Sequence, residues 1–251
     1  MSITKFFSFS FLVFSIMVAF TFCKKKEAEV PIDPNTGCTN CTPSLATTFS
    51  GLFKAGTYTV YTPMVGSTVT ERANAFFSAQ PTNITSIANS ITVNAVYFND
   101  DTLKFSGAPY YYTNLSPINL ASQTWSVNGA GIIPSFTFKN LKDKPTYTSI
   151  SALPDTVRKN IGFNFIITDL VNCTAASVFI TDGLAAPGVV TKIVNLGTDT
   201  AYFSPTDLNA VINSTAAVIT LFMENSFAIK IDGKDFKMSK EASFTKKVVI
   251  K

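Results

Sequence analysis

From residue 45 onward the chain runs in short apolar or alternating stretches separated by Asn, Asp, Gly, Ser and Pro. TYTVYT (57–62), ITVNAVYF (91–98), SFTFK (135–139), IGFNFIIT (161–168), SVFIT (177–181), VVTKIVNL (189–196), AVITLF (217–222) and FAIKI (227–231) are rich in β-branched and aromatic residues. That pattern predicts strands with at least one buried face. FNDDTL (98–103) and IDGKDF (231–236) carry hairpin-turn residues. Asp232-Gly233 is the stronger pair, because a type I′ turn needs positive φ at both central positions. SPTDLNAVI contains the one good helix start, with Ser204 as N-cap, Pro205 at the first position and Asp207 in the first turn, enough for a turn or two. TERANAFFSAQP (70–81) reads either as a short helix ended by Pro81 or as an irregular strand.

Strands recurring at this spacing predict an all-β fold. Residues 116–251 hold about seven of them, together with the single Trp125 and a terminal hairpin ending in KKVVIK. In outline this is similar to an antiparallel immunoglobulin-like β-sandwich, a likeness of architecture that carries no function with it. Residues 45–115 form an N-terminal β region, either a smaller domain or a source of further strands for the same sandwich.

Composition supports a packed body. The chain has 251 residues, 46% hydrophobic and only 14% charged, which is ample for a core. The net charge is +4, and removal of residues 1–22 takes away only Lys5 and leaves +3. Neither value makes the field expected of a nucleic-acid-binding protein, so no nucleic acid partner is expected.

The first 44 residues follow a different pattern. Lys5 precedes an apolar run from Phe6 to Phe20, shorter than the ~20 residues of a comfortable membrane span. The run meets Cys23, then Lys24-Lys25-Lys26, then a segment dotted with Pro, Asn, Asp and Thr that reads as an extended tether. This arrangement resembles the signal peptides of bacterial lipoproteins, in particular Bacteroidota-type envelope lipoproteins. The resemblance covers roughly the first 40 residues. It implies cleavage after Phe22, acylation of Cys23, and a mature chain held on the envelope, most simply the outer membrane. Phe22 departs from the small residue usual at that place. Each buried CH₂ of the acyl chains adds ~0.8 kcal/mol, enough for permanent attachment. The organisation is therefore a signal peptide over 1–22, lipidated Cys23 and tether over 23–44, then the β body.

Cys38, Cys41 and Cys173 remain, an odd number for an oxidising compartment. A local Cys38–Cys41 disulfide is preferred to a bridge from either one to Cys173, and that in turn to free thiols. Cys173, just before an apolar strand, reads as a small packed residue. The CTNC spacing has no second pair to complete a zinc site, and the chain contains no histidine. Without histidine, Ser-His-Asp and Cys-His catalysis are excluded, as are His-ligated metal centres. No phosphate-cradling glycine loop and no G-x-S-x-G elbow is present. No cofactor and no metal are expected. Paired carboxylates remain compatible with glycan hydrolysis, although Asp100 and Asp101 sit in turn sequence.

The most suggestive positive feature is GAPYYYTNL, 107–115. Strand alternation would place Tyr110 and Tyr112 on one face and Tyr111 on the other, so that burying all three rings is difficult. Two rings closing the core and a third covering an edge is the plainer reading, but any ligand face is expected here. The sequence thus points to a noncatalytic, membrane-anchored envelope lipoprotein, a binding or structural module with a protein or glycan partner. The alternative is an envelope glycan hydrolase.

Overall fold

In this computed structural model the described residues are 38, 41–62, 64–83, 87–105, 118–121, 123–150, 154–184 and 187–251, with 111–113 and 151 described by their backbone. The strands are β1 (Cys41–Ser44), β2 (Phe49–Thr62), β3 (Gly66–Thr82), β4 (Ala95–Phe98), β5 (Asp101–Thr102), β6 (Lys104–Phe105), β7 (Tyr111–Thr113), β8 (Gln123–Asn128) and β9 (Phe136–Asn140). They continue as β10 (Ser149–Ser151), β11 (Thr156–Val157), β12 (Phe163–Thr168), β13 (Ala175–Thr181), β14 (Val189–Ile193), β15 (Thr200–Phe203), β16 (Val218–Ile231), β17 (Lys234–Lys247) and β18 (Val249–Ile250). One helical turn, α1 (Pro205–Leu208), precedes β16. The protein is all-β, and residues Pro34–Lys251 form one compact unit.

Two predicted strands, 217–222 and 227–231, are one. Glu224, Asn225 and Ser226 look like a break but continue β16, which pairs with β17 from Val218↔Lys247 to Ile231↔Lys234. Asp232 (φ 47°) and Gly233 (φ 78°) close this hairpin, as a type I′ turn requires. Asn99 (φ 47°) and Asp100 (φ 75°) close the β4–β5 hairpin in the same way. The ambiguous segment 70–81 is strand. β3 pairs with β2 along most of its length, and Ala73, Ala75 and Phe77 alternate onto one face, which a helix would not do. Ser204 caps α1 in a capping box with Asp207.

β14-β13-β16-β17-β2-β3-β7-β6 form one large sheet, with β1 also pairing β16. Strands from 45–115 and from 116–251 therefore share a sheet. They meet where β17 lies parallel to β2, and the remaining pairs of this sheet are antiparallel. Phe53, Phe236, Ile229, Phe77 and Met238, all at most 1% exposed, line its inner face at one end. There the sheet β5-β4-β8-β9 packs on it, with Phe53 meeting Trp125 (5.2 Å), Phe136 (5.7 Å) and Phe77 (5.5 Å). Edge-to-face aromatic pairs of this kind add to the area they bury. At the other end Val178, Ile180, Ile219, Leu221 and Met223 pack against Phe165, Ile167, Ala201 and Phe203 of the sheet β10-β12-β15. Two small sheets thus cover one face of the large sheet.

Candidate functional site

The opposite face of the large sheet carries the charge. Cross-strand register puts Arg72 (β3), Gly56 (β2), Glu241 (β17) and Glu224 (β16) in a single row across four strands. The row below holds Asn74, Lys54, Ser239 and Ser226, and the row below that Phe76, Leu52, Lys237 and Ala228. Leu52 and Phe76 join Phe49 in a small apolar cluster that floors this end.

Two carboxylates directly opposite each other on paired strands repel. Here each has its own cation. Lys237 Nζ donates to Glu224 Oε1 at 2.6 Å, and Lys54 Nζ lies 3.3 Å from Glu241 Oε1. The Tyr58 hydroxyl donates to Glu241 Oε2 at 2.6 Å, and the Arg72 guanidinium stands 5.2 Å from the Tyr58 ring centroid. Glu241 is 2% exposed, whereas Arg72 is open to solvent. Gly56 fits because a Cβ there would run into the Glu241 backbone carbonyl. Burial, the Glu241 charge and the hydrogen bond to it all push the Tyr58 phenol far above the ordinary tyrosine range. Tyr58 therefore keeps its proton and acts as a donor, not as a base.

Above this row the same face mixes hydroxyl-bearing and apolar side chains, with Thr220 and Thr245 bonded to each other across β16 and β17. Val60, Val189 and Ile193 are exposed, Ile193 at 83%, and Phe179 and Phe222 are half-buried. Acids elsewhere serve the fold. Burial alone would raise the Asp182 carboxyl, but backbone N–H groups of Ile212, Leu184 and Gly188 hold it below the usual carboxylate range. A hydrogen bond from Lys192 and others from Ser204 hold Asp207 down to about 2.

Among the sequence candidates, Cys23 and Tyr110 lie outside the described residues. Tyr111 and Tyr112 belong to β7, opposite Ala75 and Asn74 on one side and Phe105 and Lys104 on the other. Cys38 and Cys41, the first residue of β1, are joined in a disulfide with Cα atoms 5.8 Å apart. Cys173 is unpaired, half-buried against the core, and its thiol is pushed up by burial. Trp125 is fully buried. Asp100 is a turn residue, and Asp101 follows it at the start of β5. No group of three or more Cys, Asp or Glu that could hold a metal occurs among the described residues, and no helix among them is long and apolar enough to cross a membrane. Sequence reasoning passed over the Lys54–Tyr58–Glu241 group, whose members lie up to 187 positions apart. Neither a protein-family model nor a curated protein sequence matches this chain.

Proposed function

We propose that this chain is a lipid-anchored, noncatalytic module of a bacterial cell envelope, with Cys23 as its anchor and an envelope protein or glycan as its partner. The observation that carries the reading is the apolar run that stops at Cys23 and is followed at once by lysines and a proline-dotted tether. The structure supports it in two ways. The chain enters the β body at β1, which pairs with β16 and is held there by the Ser44 hydroxyl donating to Asp235, while the Cys38–Cys41 disulfide closes a small loop at the entry, so the tether joins a hydrogen-bonded strand of the sheet. The acids drawn into the fold are held by lysines, a tyrosine or backbone N–H groups, which commits them to structure.

Replacing Cys23 with Ser should shift the protein from the membrane to the soluble fraction. The intact mass of the wild-type chain should lack residues 1–22 and carry acyl groups. A Ser variant that stays with membranes, with residues 1–22 attached, refutes the anchor. One observation favours the alternative of a glycan hydrolase: Glu224 and Glu241 are cross-strand partners on the charged face of the large sheet. Turnover of an envelope glycan abolished by Glu224→Gln or Glu241→Gln would establish that alternative.

A further inference from the structure

Under the β8–β9 ribbon the inner face of the large sheet turns from apolar to polar. Moving along β17 it reads Phe236, Met238, Lys240, and along β16 Ile229, Phe227, Asn225. Lys240 and Asn225 are register partners, and beside them the row continues as Ala55 and Ala73, two small residues. Lys240 is 4% exposed and Asn225 7%.

The covering sheet changes character at the same level. Phe136 packs on Phe53 and Phe236, and Phe138, two residues on, packs on Phe227. Two residues further Asn140 comes over the Asn225–Lys240 row, with Gln123 as its cross-strand partner on β8. The hydrogen bond from Asn225 Nδ2 to the Asp143 carbonyl, 2.9 Å, fixes this placement. Asn140 is 0% exposed and Gln123 1%.

Two fully buried side-chain atoms here lack partners among the described residues, and the Lys240 ammonium beside them is without one too. Asn140 Nδ2 has no acceptor and Gln123 Oε1 has no donor. The Asn140 amide cannot flip to relieve this, because its Oδ1 accepts from Lys142 N–H at 3.0 Å. The Lys240 ammonium makes no ion pair or hydrogen bond among the described residues, and Asp143 is the charge that acts on it. An ammonium has three donors to satisfy, and a buried polar group without a partner is costly.

We infer that this level of the sandwich is a built solvent site: ordered water bridges Lys240 Nζ, Asn140 Nδ2 and Gln123 Oε1 between the large sheet and the β8–β9 ribbon. Water fits because the group presents both kinds of need. It accepts from Lys240 and Asn140 and donates to Gln123, the roughly three bonds typical of buried water. An anion satisfies the two donors and leaves the Gln123 oxygen facing negative charge. Ala55 and Ala73 in the floor keep the level from being filled by side chains.

Water-selective NOE spectroscopy on the full chain, ¹⁵N-labelled and purified in detergent, tests this. The Asn140 side-chain NH₂ should show a cross-peak to long-lived water that bromide does not alter. Lys240→Met should weaken that cross-peak several-fold in a chain whose spectrum stays dispersed. If that variant does not fold, Gln123→Met reads the same site through its other wall. Absence of long-lived water at Asn140 in the wild type overturns the inference. So does a saturable bromide shift that removes the cross-peak, which would make the site an anion site, and so does a Lys240→Met chain that keeps it at full strength.

Discussion

Tyr58→Phe removes one oxygen and little else. That oxygen donates to a Glu241 carboxylate that is 2% exposed, leaving Lys54 at 3.3 Å to offset a buried negative charge. A hydrogen bond to a charged group contributes about 1.5–3 kcal/mol, and the lower half of that range applies because Lys54 remains. A loss of about 2 kcal/mol lowers the melting temperature of a domain this size by roughly 4–8 °C. Urea titration followed by fluorescence of Trp125, the only tryptophan and fully buried, reads the loss at neutral pH. The pH dependence gives a second signature. The Tyr58 pKa is raised by folding, so above the unfolded value of about 10 the unfolded chain releases a proton that the folded chain keeps. Wild-type stability then falls with pH by ~1.4 kcal/mol per unit on this account, while Tyr58→Phe has no such contribution. The gap between the two proteins should be full below pH ~10 and narrow above it. A difference under ~0.5 kcal/mol at neutral pH refutes the claim that Tyr58 and Glu241 act as a unit. A gap that stays constant through the alkaline range does the same.

Gly56→Ala should destabilise by about 1–3 kcal/mol, since the added Cβ meets backbone of β17 that can yield only by spreading the parallel pair; equilibrium unfolding checks it. Phe53→Ala, at the junction of four aromatic rings, should cost about 3–5 kcal/mol, and a loss near that of an exposed site would contradict the core described above. Asp207 should titrate at about 2 by carboxyl NMR and rise toward the ordinary range in Lys192→Met. Its contribution to stability is present above the unfolded value near 4 and is lost as pH falls through the folded one.

What the sequence makes legible is local. The Asp232-Gly233 turn, the Ser204 cap and most of the apolar strands are visible because their causes lie within a few residues. β16 reads as two strands because Glu224-Asn225-Ser226 resembles a loop, and only the partners on β17 show why polar residues continue a strand there. Segment 70–81 is ambiguous because Glu, Arg and Ala favour helix while Thr70 and the Phe76-Phe77 pair favour strand; β2 lying beside it decides the outcome. The row Arg72–Gly56–Glu241–Glu224 is invisible in the sequence, since parallel pairing of β2 with β17 joins positions far apart along the chain.

Lys240 and Glu241 show how much depends on register. They are neighbours on β17, and both are nearly buried, at 4% and 2% exposure. Strand alternation sends Lys240 inward beneath Asn140 and Gln123, and Glu241 outward to Tyr58 and Lys54. A slip of one residue would exchange them. It would put a carboxylate opposite the unpaired Gln123 oxygen and an ammonium beside Lys54 and Arg72, and would also turn Phe236 and Met238 out of the core. Every one of those changes is unfavourable, so the two charges select the register together with the apolar residues. The Asp232-Gly233 turn selects it from the other end. Inserting one alanine between Ser239 and Lys240 should therefore unfold the hairpin cooperatively instead of yielding a shifted native state, because neither charge has a tolerable position on the other face. Amide hydrogen exchange across β16 and β17 reads the result. Protection preserved on both strands would show that aromatic packing alone sets the register and that Lys240 and Glu241 follow it.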